Sequence, residues 1–268
     1  MQIWHVWLQK HAVMDRSPLL DEMYAKHVAA VARTSTVEIH TLPAQAYDAQ
    51  LPEQLVRYGD SGLMIANFFA DSAVAAEHQR YHAWISGAGQ DPGLAAAQTR
   101  CSIPVVGYGD VVWQAARAEQ HRLGVLGFHP HLVEPITANI TAAGAPLAAY
   151  QVIQHGPELV QRALAGDFAP LVNAYGQSAA DAAEAGAQWL VPAERIVNEI
   201  LVHLSIHELA GLPVIDPGGW AIKQAEYLCE LRALRIVARP TTGYWRSLAP
   251  RPLLERLQQA LHEQGAHR

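Results

Sequence analysis

Glu194 stands just past the run "QWLVP" (188–192), where a strand-like pattern gives way to a helical one. A carboxylate placed there can give or take a proton at a carbon acid, provided burial raises its pKa toward neutrality. The same residue also serves simply as a helix-start charge, and the helix dipole then lowers its pKa. Gly87, Ala88 and Gly89 follow "HAWIS" (82–86) and form a loop almost without side chains. Such a loop is either a tight turn that needs glycine or a nest of N–H groups for a carboxylate or enolate oxygen. In "LGFHPH" (126–131), His129 can bond an oxyanion or shuttle a proton, or be a loop histidine beside a proline. With His131 it makes an H-x-H pair, a spacing found in some metal sites, but no matching Asp/His set accompanies it. Lys10 and His11, in "LQKHA" (8–12), can meet a substrate carboxylate or lie in a solvated loop. His203 and His207 are spaced i,i+4 before Glu208. Their order is H-x-x-x-H-E and not the H-E-x-x-H of zinc proteases, so they are read as structural. Neither a Walker A loop nor a G-x-G-x-x-G turn nor a G-x-S-x-G elbow occurs. A nucleotide cofactor and a bound metal are therefore not expected.

These residues sit between elements that alternate. Short apolar runs rich in Val, Ile and Trp at 3–8, 37–42, 82–86, 103–107, 123–127, 146–153, 188–192 and 212–216 predict buried strands. Helical patterns lie between them, at about 18–33, 52–80, 92–101, 110–120, 131–143, 157–185 (broken near Pro170), 194–209 and 218–235. Alternation of this kind specifies an α/β fold with parallel sheets and right-handed crossovers. One unit is written twice: "IPVVGYGDVVWQAAR" (103–117) aligns without a gap on "LPVIDPGGWAIKQAEYL" (212–228), with Pro104 on Pro213, Gly109 on Gly218 and Ala116 on Ala225. Each copy is preceded by a strand, a loop and a helix. The repeat predicts two similar lobes with parallel sheets related by a pseudo-twofold, and the loops at their carboxyl strand ends form a ligand site in the cleft between them. Lobe 1 is placed at 1–107 plus 216–268, and lobe 2 at 108–215.

The chain has 268 residues, half of them apolar, which is enough for a sizeable core. A net charge of −6 without a basic run argues against nucleic acid or a membrane as partner. No run of about 18 apolar residues suggests a spanning helix, and "MQIWHVWLQKH" reads as a strand, not a signal peptide. The tail "LLERLQQALHEQGAHR" reads as an amphipathic helix. Cys101 and Cys229, far apart and on helical patterns, are read as two reduced buried thiols, from which a cytoplasmic setting follows.

The segment Gly211, Leu212, Pro213, Val214, Ile215, Asp216, Gly218, Lys223, Ala225 and Glu226, together with "PVVGYGDVVWQAA" and "ISGAGQDPGL", resembles the Asp/Glu/hydantoin racemase superfamily. The likeness covers about residues 1–235, is strongest in the C-terminal motif, and is nearest to the hydantoin-racemase and arylmalonate-decarboxylase branches. The resemblance implies two α/β halves about a pseudo-dyad, a cofactor-independent reaction, and a homo-oligomer. It also gives a chemical reason to build the turn twice: the racemases carry one cysteine per half, one removing the α-proton and the other returning it. Both cysteines are missing here. The first position falls on Gly87 or Ala88, depending on the direction of counting, and the second on Glu194. In the decarboxylase branch the first cysteine is likewise a glycine, and its loop helps hold a carboxylate. Gly127 and Phe128 stand where relatives carry small polar donors, and His129 at a tyrosine position. The resemblance thus implies Glu194 and His129 as catalytic groups and Gly87, Ala88, Gly89, Lys10, His11 and Phe128 as substrate-binding ones. The expected function is an isomerase or lyase moving a proton at a carbon next to a carboxylate or amide carbonyl, in a small acid or cyclic amide. The alternatives are a racemase with non-cysteine bases, a non-catalytic binding protein that kept the cleft, and a metal-dependent hydrolase using His129 and His131.

Overall fold

A computed structural model describes residues 2–265. Four parallel strands form the first sheet: β1 (Trp4–Gln9), β2 (Ser35–His40), β3 (Ala83–Ser86) and β4 (Val105–Gly107), in the order β2-β1-β3-β4. Three parallel strands form the second: β5 (Leu123–Gly127), β6 (Leu147–Val152) and β7 (Trp189–Pro192), in the order β6-β5-β7. The two orders correspond, so β3 and β7 occupy equivalent places, as do β1 and β5.

The fourth strand of the second sheet is a remnant. The expected strand 212–216 pairs in parallel only at Val214, opposite Leu190, much as Val105 of its sequence twin stands opposite Trp84. Ala210 and Gly211 take positive φ and fold the chain into a small antiparallel hairpin, Glu208–Leu209 with Leu212–Pro213. Beyond Val214 the chain gives one more bond, Ile215 N–H to the Leu190 carbonyl (2.8 Å). It then turns at Asp216, whose carboxylate accepts from Gly219 N–H and caps the next helix.

Helices follow the apolar periodicity closely. They are α1 (Pro18–Val31), α2 (Gly59–His78), α3 (Leu94–Arg100), α4 (Asp110–Glu119), α5 (Val133–Ala143), α6 (Gly156–Leu164), α7 (Ala169–Glu184), α8 (Arg195–His203), α9 (Pro217–Ala233) and α10 (Arg251–Gly265). The predicted break near Pro170 lies at residues 165–168, where Gly166 has φ +97° and Pro170 is free to occupy the first turn of α7. The helix expected from 52 begins only at Gly59. Leu51 and Pro52 are buried away from α2, so this stretch is a strap ending in a 3-10 turn (Leu55–Arg57). His207 lies beyond α8, so His203 and His207 do not share a helix face.

The two sheets share one core. Val6, Leu8, Ile85 and Val106 of the first pack in the same cluster as Leu123, Val125 and Val191 of the second, with Ala221, Ile222 and Ala225 of α9 between. Separate apolar layers cover the outer faces, with Phe69, Ala73 and Trp84 on one side and Val160, Tyr175 and Leu190 on the other. No helix among the described residues is long and apolar enough to cross a membrane.

Candidate active site

The carboxyl ends of β3 and β7 meet. Gly89, in the loop after β3, lies so close to the segment after β7 that a Cβ there would sit 1.8 Å from the Ala193 carbonyl oxygen, and only glycine fits. Gly87 is similarly constrained: its N–H bonds the Gln9 carbonyl at 2.7 Å, and a Cβ would stand 2.8 Å from that same oxygen. The turn is closed by Asp91 N–H to the Ala88 carbonyl (2.9 Å), while the N–H groups of Ala88, Gly89 and Gln90 have no acceptor among the described residues. Opposite, the first two N–H groups of α8, those of Arg195 and Ile196, are the unpaired donors that any helix start leaves. A pocket lies between these sets, lined by residues of both.

Glu194 forms one wall. It is the N-cap residue of α8, but its side chain caps nothing. Instead it turns across the pocket and accepts from Phe128 N–H (3.2 Å to each oxygen) and His129 N–H (3.0 Å). Gly127 makes room for this, since a Cβ there would stand 3.3 Å from Glu194 Oε1. Burial pushes the Glu194 carboxyl up to about 8, against the pull of the His129 and Phe128 N–H bonds. Its proton is therefore held at neutral pH and released just above it.

The expected residues divide on this geometry. Gly87, Ala88, Gly89, His11, Phe128, His129 and Glu194 all line the pocket. His11 is half-buried beside Phe69, and burial lowers its pKa to about 4, so its ring is neutral and makes no ion pair with a carboxylate. Burial and the neighbouring His131 lower that of His129, whose Nδ1 has no partner. Lys10 is not among the residues lining the pocket: its ammonium bonds Asp21 at 2.7 Å and lies over the Tyr24 ring. Cys101 and Cys229 are both buried and free, and neither lines the pocket. The rings of His129 and His131 are 5.5 Å apart, and among the described residues no group of three or more His, Cys, Asp or Glu side chains is placed to hold a metal.

Three features escaped the sequence. The strap brings Leu51, Pro52, Glu53 and Val56 over the pocket mouth. Tyr24 and Arg195 form part of its wall. Behind Arg195 runs a buried chain: Arg195 Nε to Glu199 (2.9 Å), Glu199 to His27 Nδ1 (2.8 Å), and His27 Nε2 to Asp216 (2.8 Å). The Arg-x-x-x-Glu spacing of 195 and 199 is a readable helical pair. His27 and Asp216 are brought together only by the fold.

This is a two-lobed α/β protein of racemase architecture, with a pocket at the strand ends. The chain belongs to the Asp/Glu/hydantoin racemase family, whose model matches residues 22–225. Among solved structures it is similar to allantoin racemase from Pseudomonas fluorescens, with 20% identity, a TM-score of 0.69, and coverage of 94% of this chain and 98% of that one. Allantoin racemase from Klebsiella pneumoniae is similar at 17% identity and TM-score 0.66, over 92% and 94% of the two chains. An arylmalonate decarboxylase is similar at 12% identity and TM-score 0.53, over 90% and 98%. No curated protein matches the sequence.

Proposed function

We propose that this protein is a cofactor-independent isomerase or lyase in which Glu194 moves a proton to or from a carbon next to a carbonyl. The observation that carries this reading is a buried carboxyl, pushed by burial up to about 8, at the carboxyl end of β7 in the wall of the pocket. Facing it are N–H groups of residues 88–90 that have no acceptor, suited to negative charge developing on a carbonyl oxygen. The loops after β3 and β7 would thus have two different tasks: one holds the oxyanion and the other holds the proton.

In a decarboxylation the carbon–carbon bond to the departing CO2 breaks and its electrons form an enediolate. The Glu194 proton then goes to carbon, and solvent returns a proton to the carboxylate. In an isomerization the ionised form first takes the proton and later returns it. A second base would make the reaction a racemization; His129 and His11, both lining the same pocket, are the first to test.

Glu194→Gln tests the reading. The amide keeps the size and the side-chain carbonyl but has no exchangeable acid proton. Turnover should fall by about 10²–10⁴, with substrate binding largely preserved. In D2O the wild type should label one face of the product. Near-normal turnover in the variant removes Glu194 from the mechanism, and equal labelling of both faces brings in a second base, His129 or His11.

A further inference from the structure

Two phenols beside Glu194 have buried hydroxyls that bond nothing. Tyr150 lies on β6, at the edge of the second sheet, and Tyr175 lies on α7. Neither residue lines the pocket, and neither hydroxyl has a hydrogen-bond partner among the described residues. Tyr108, by contrast, donates to the Pro192 carbonyl at 2.9 Å and so pins the end of β7. A buried hydroxyl left without an acceptor costs stability.

Gly127 opens a way from Tyr150 to Glu194. A Cβ on Gly127 would stand 3.1 Å from the Tyr150 hydroxyl and 3.3 Å from Glu194 Oε1, so the two oxygens flank one gap that the missing side chain leaves. Glu194 itself is held only from backbone, by Phe128 N–H at 3.2 Å to each oxygen and His129 N–H at 3.0 Å. These are at the long end of N–H···O bonds, and no side chain among the described residues donates to the carboxyl. Of the titratable groups that line the pocket with it, His11 and His129 are neutral at pH 7, Arg195 is paired with Glu199, and Glu53 is a second carboxyl. Burial, and after it the charge of Glu194, push the Tyr150 phenol far above its ordinary value of 10. It therefore stays a donor wherever Glu194 ionises.

We infer that Tyr150 is a positioning residue for Glu194: when the carboxyl gives up its proton, the Tyr150 hydroxyl turns to donate to Oε1 across the Gly127 gap and holds the carboxylate for its return to the acid. An ionised carboxylate accepts more and stronger hydrogen bonds than the acid does. Tyr150 keeps its own proton throughout. Tyr175 is not among the atoms that close on the gap. The inference rests on the reading of Glu194 as the proton carrier, and it adds the group that steadies the ionised form.

Carbon-13 NMR of the full-length protein, labelled at glutamate Cδ and tyrosine Cζ, tests this without a substrate. Glu194 is the glutamate signal missing from Glu194→Gln. It should titrate near 8 in wild type. Tyr150→Phe removes a donor to the charged form, so the Glu194 ionisation constant should fall about tenfold. Tyr175→Phe removes a like hydroxyl and should leave that constant within about twofold. An unchanged midpoint in Tyr150→Phe, or an equal shift in Tyr175→Phe, overturns the inference. If Tyr150→Phe does not fold, wild type decides: one tyrosine Cζ signal should follow the Glu194 midpoint and stay still in Glu194→Gln, and the absence of any such signal overturns it. None of these readings uses turnover, so a Glu194→Gln variant with normal turnover would sink the proton-carrier reading while the coupling of the two side chains is judged apart from it.

Discussion

At the scale of single residues, Glu194 and the two cysteines make opposite arguments. Glu194 is buried within reach of ligand, and its carboxyl titrates near 8. If it delivers the proton, kcat/KM should be level below pH 8 and fall about tenfold per unit above it. A rise through pH 8 would assign it the base role. The same shift has a thermodynamic sign. The folded carboxyl keeps its proton while the unfolded one ionises near 4.5, so the contribution is full below 4.5 and is lost as pH rises through 8. Glu194→Gln, which does not titrate, should therefore gain Tm relative to wild type between pH 5 and pH 9; parallel melting curves across that range would contradict the shift. The cysteines are buried and lie outside the pocket, their thiols pushed by burial up to about 12 (Cys101) and about 11 (Cys229). Neither forms the thiolate that proton abstraction needs. Cys101→Ala with Cys229→Ala should leave turnover nearly unchanged, and a loss of activity in the folded double variant would revive thiol chemistry.

At the scale of elements, the decisive feature is how closely two turns approach. Gly89→Ala would drive a methyl group into backbone, at 1.8 Å from the Ala193 oxygen and 2.9 Å from its carbon, with no flexible side chain to yield. The loops must separate, so Tm should drop by several degrees and turnover should fall with it. Gly62 in α2 and Gly176 in α7 are the controls, helical glycines with nothing within 4 Å of an added Cβ. Gly→Ala there should stabilise by about 0.5–1 kcal/mol. An unchanged Gly89→Ala melting curve would show that the strand ends are not in register as described. This scale is also where the sequence was most readable. Continuous apolar runs located β3, β5 and β7 because these parallel strands are buried on both faces. The run 212–216 misled because apolarity reports burial, not pairing: Val214 bridges Leu190 once, and the rest of the run is hairpin and cap. The helical pattern at 52–58 misled for a similar reason, since Leu51 and Val56 line the pocket from a strap. Lys10 and Arg195 show the limit for side chains. Both are basic residues directly after or at the start of an element, and only the fold decides that Asp21 takes one and the pocket takes the other.

At the scale of the whole molecule, His27 ties the lobes together. It projects from α1 beside the first sheet, reaches Glu199 on α8 of the second, and continues to Asp216 at the cap of α9, a residue 189 positions away in sequence. Burial alone would lower its pKa, but the bonds to Asp216 and Glu199 outweigh burial and carry it up to about 9. Arg195, Asn198 and Gly218 face the same junction. The unfolded histidine loses its proton near 6.5 and the folded one near 9. The stabilisation is therefore complete below pH 6.5 and is lost as pH rises through 9, on the order of 3 kcal/mol across that window. His27→Gln retains hydrogen-bonding capacity and removes the titration. Wild type should exceed the variant in Tm at pH 6, and the gap should shrink by pH 10. Glu194 also titrates over part of this range, but it does so in both proteins and cancels in the difference. A gap that stays constant from pH 6 to pH 10 would mean that His27 is neutral in the folded state, and that Glu199 and Asp216 are held by something other than its charge. A shrinking gap would show that the junction positioning Arg195 is electrostatic, so that mild alkali loosens the lobes and the floor of the pocket together.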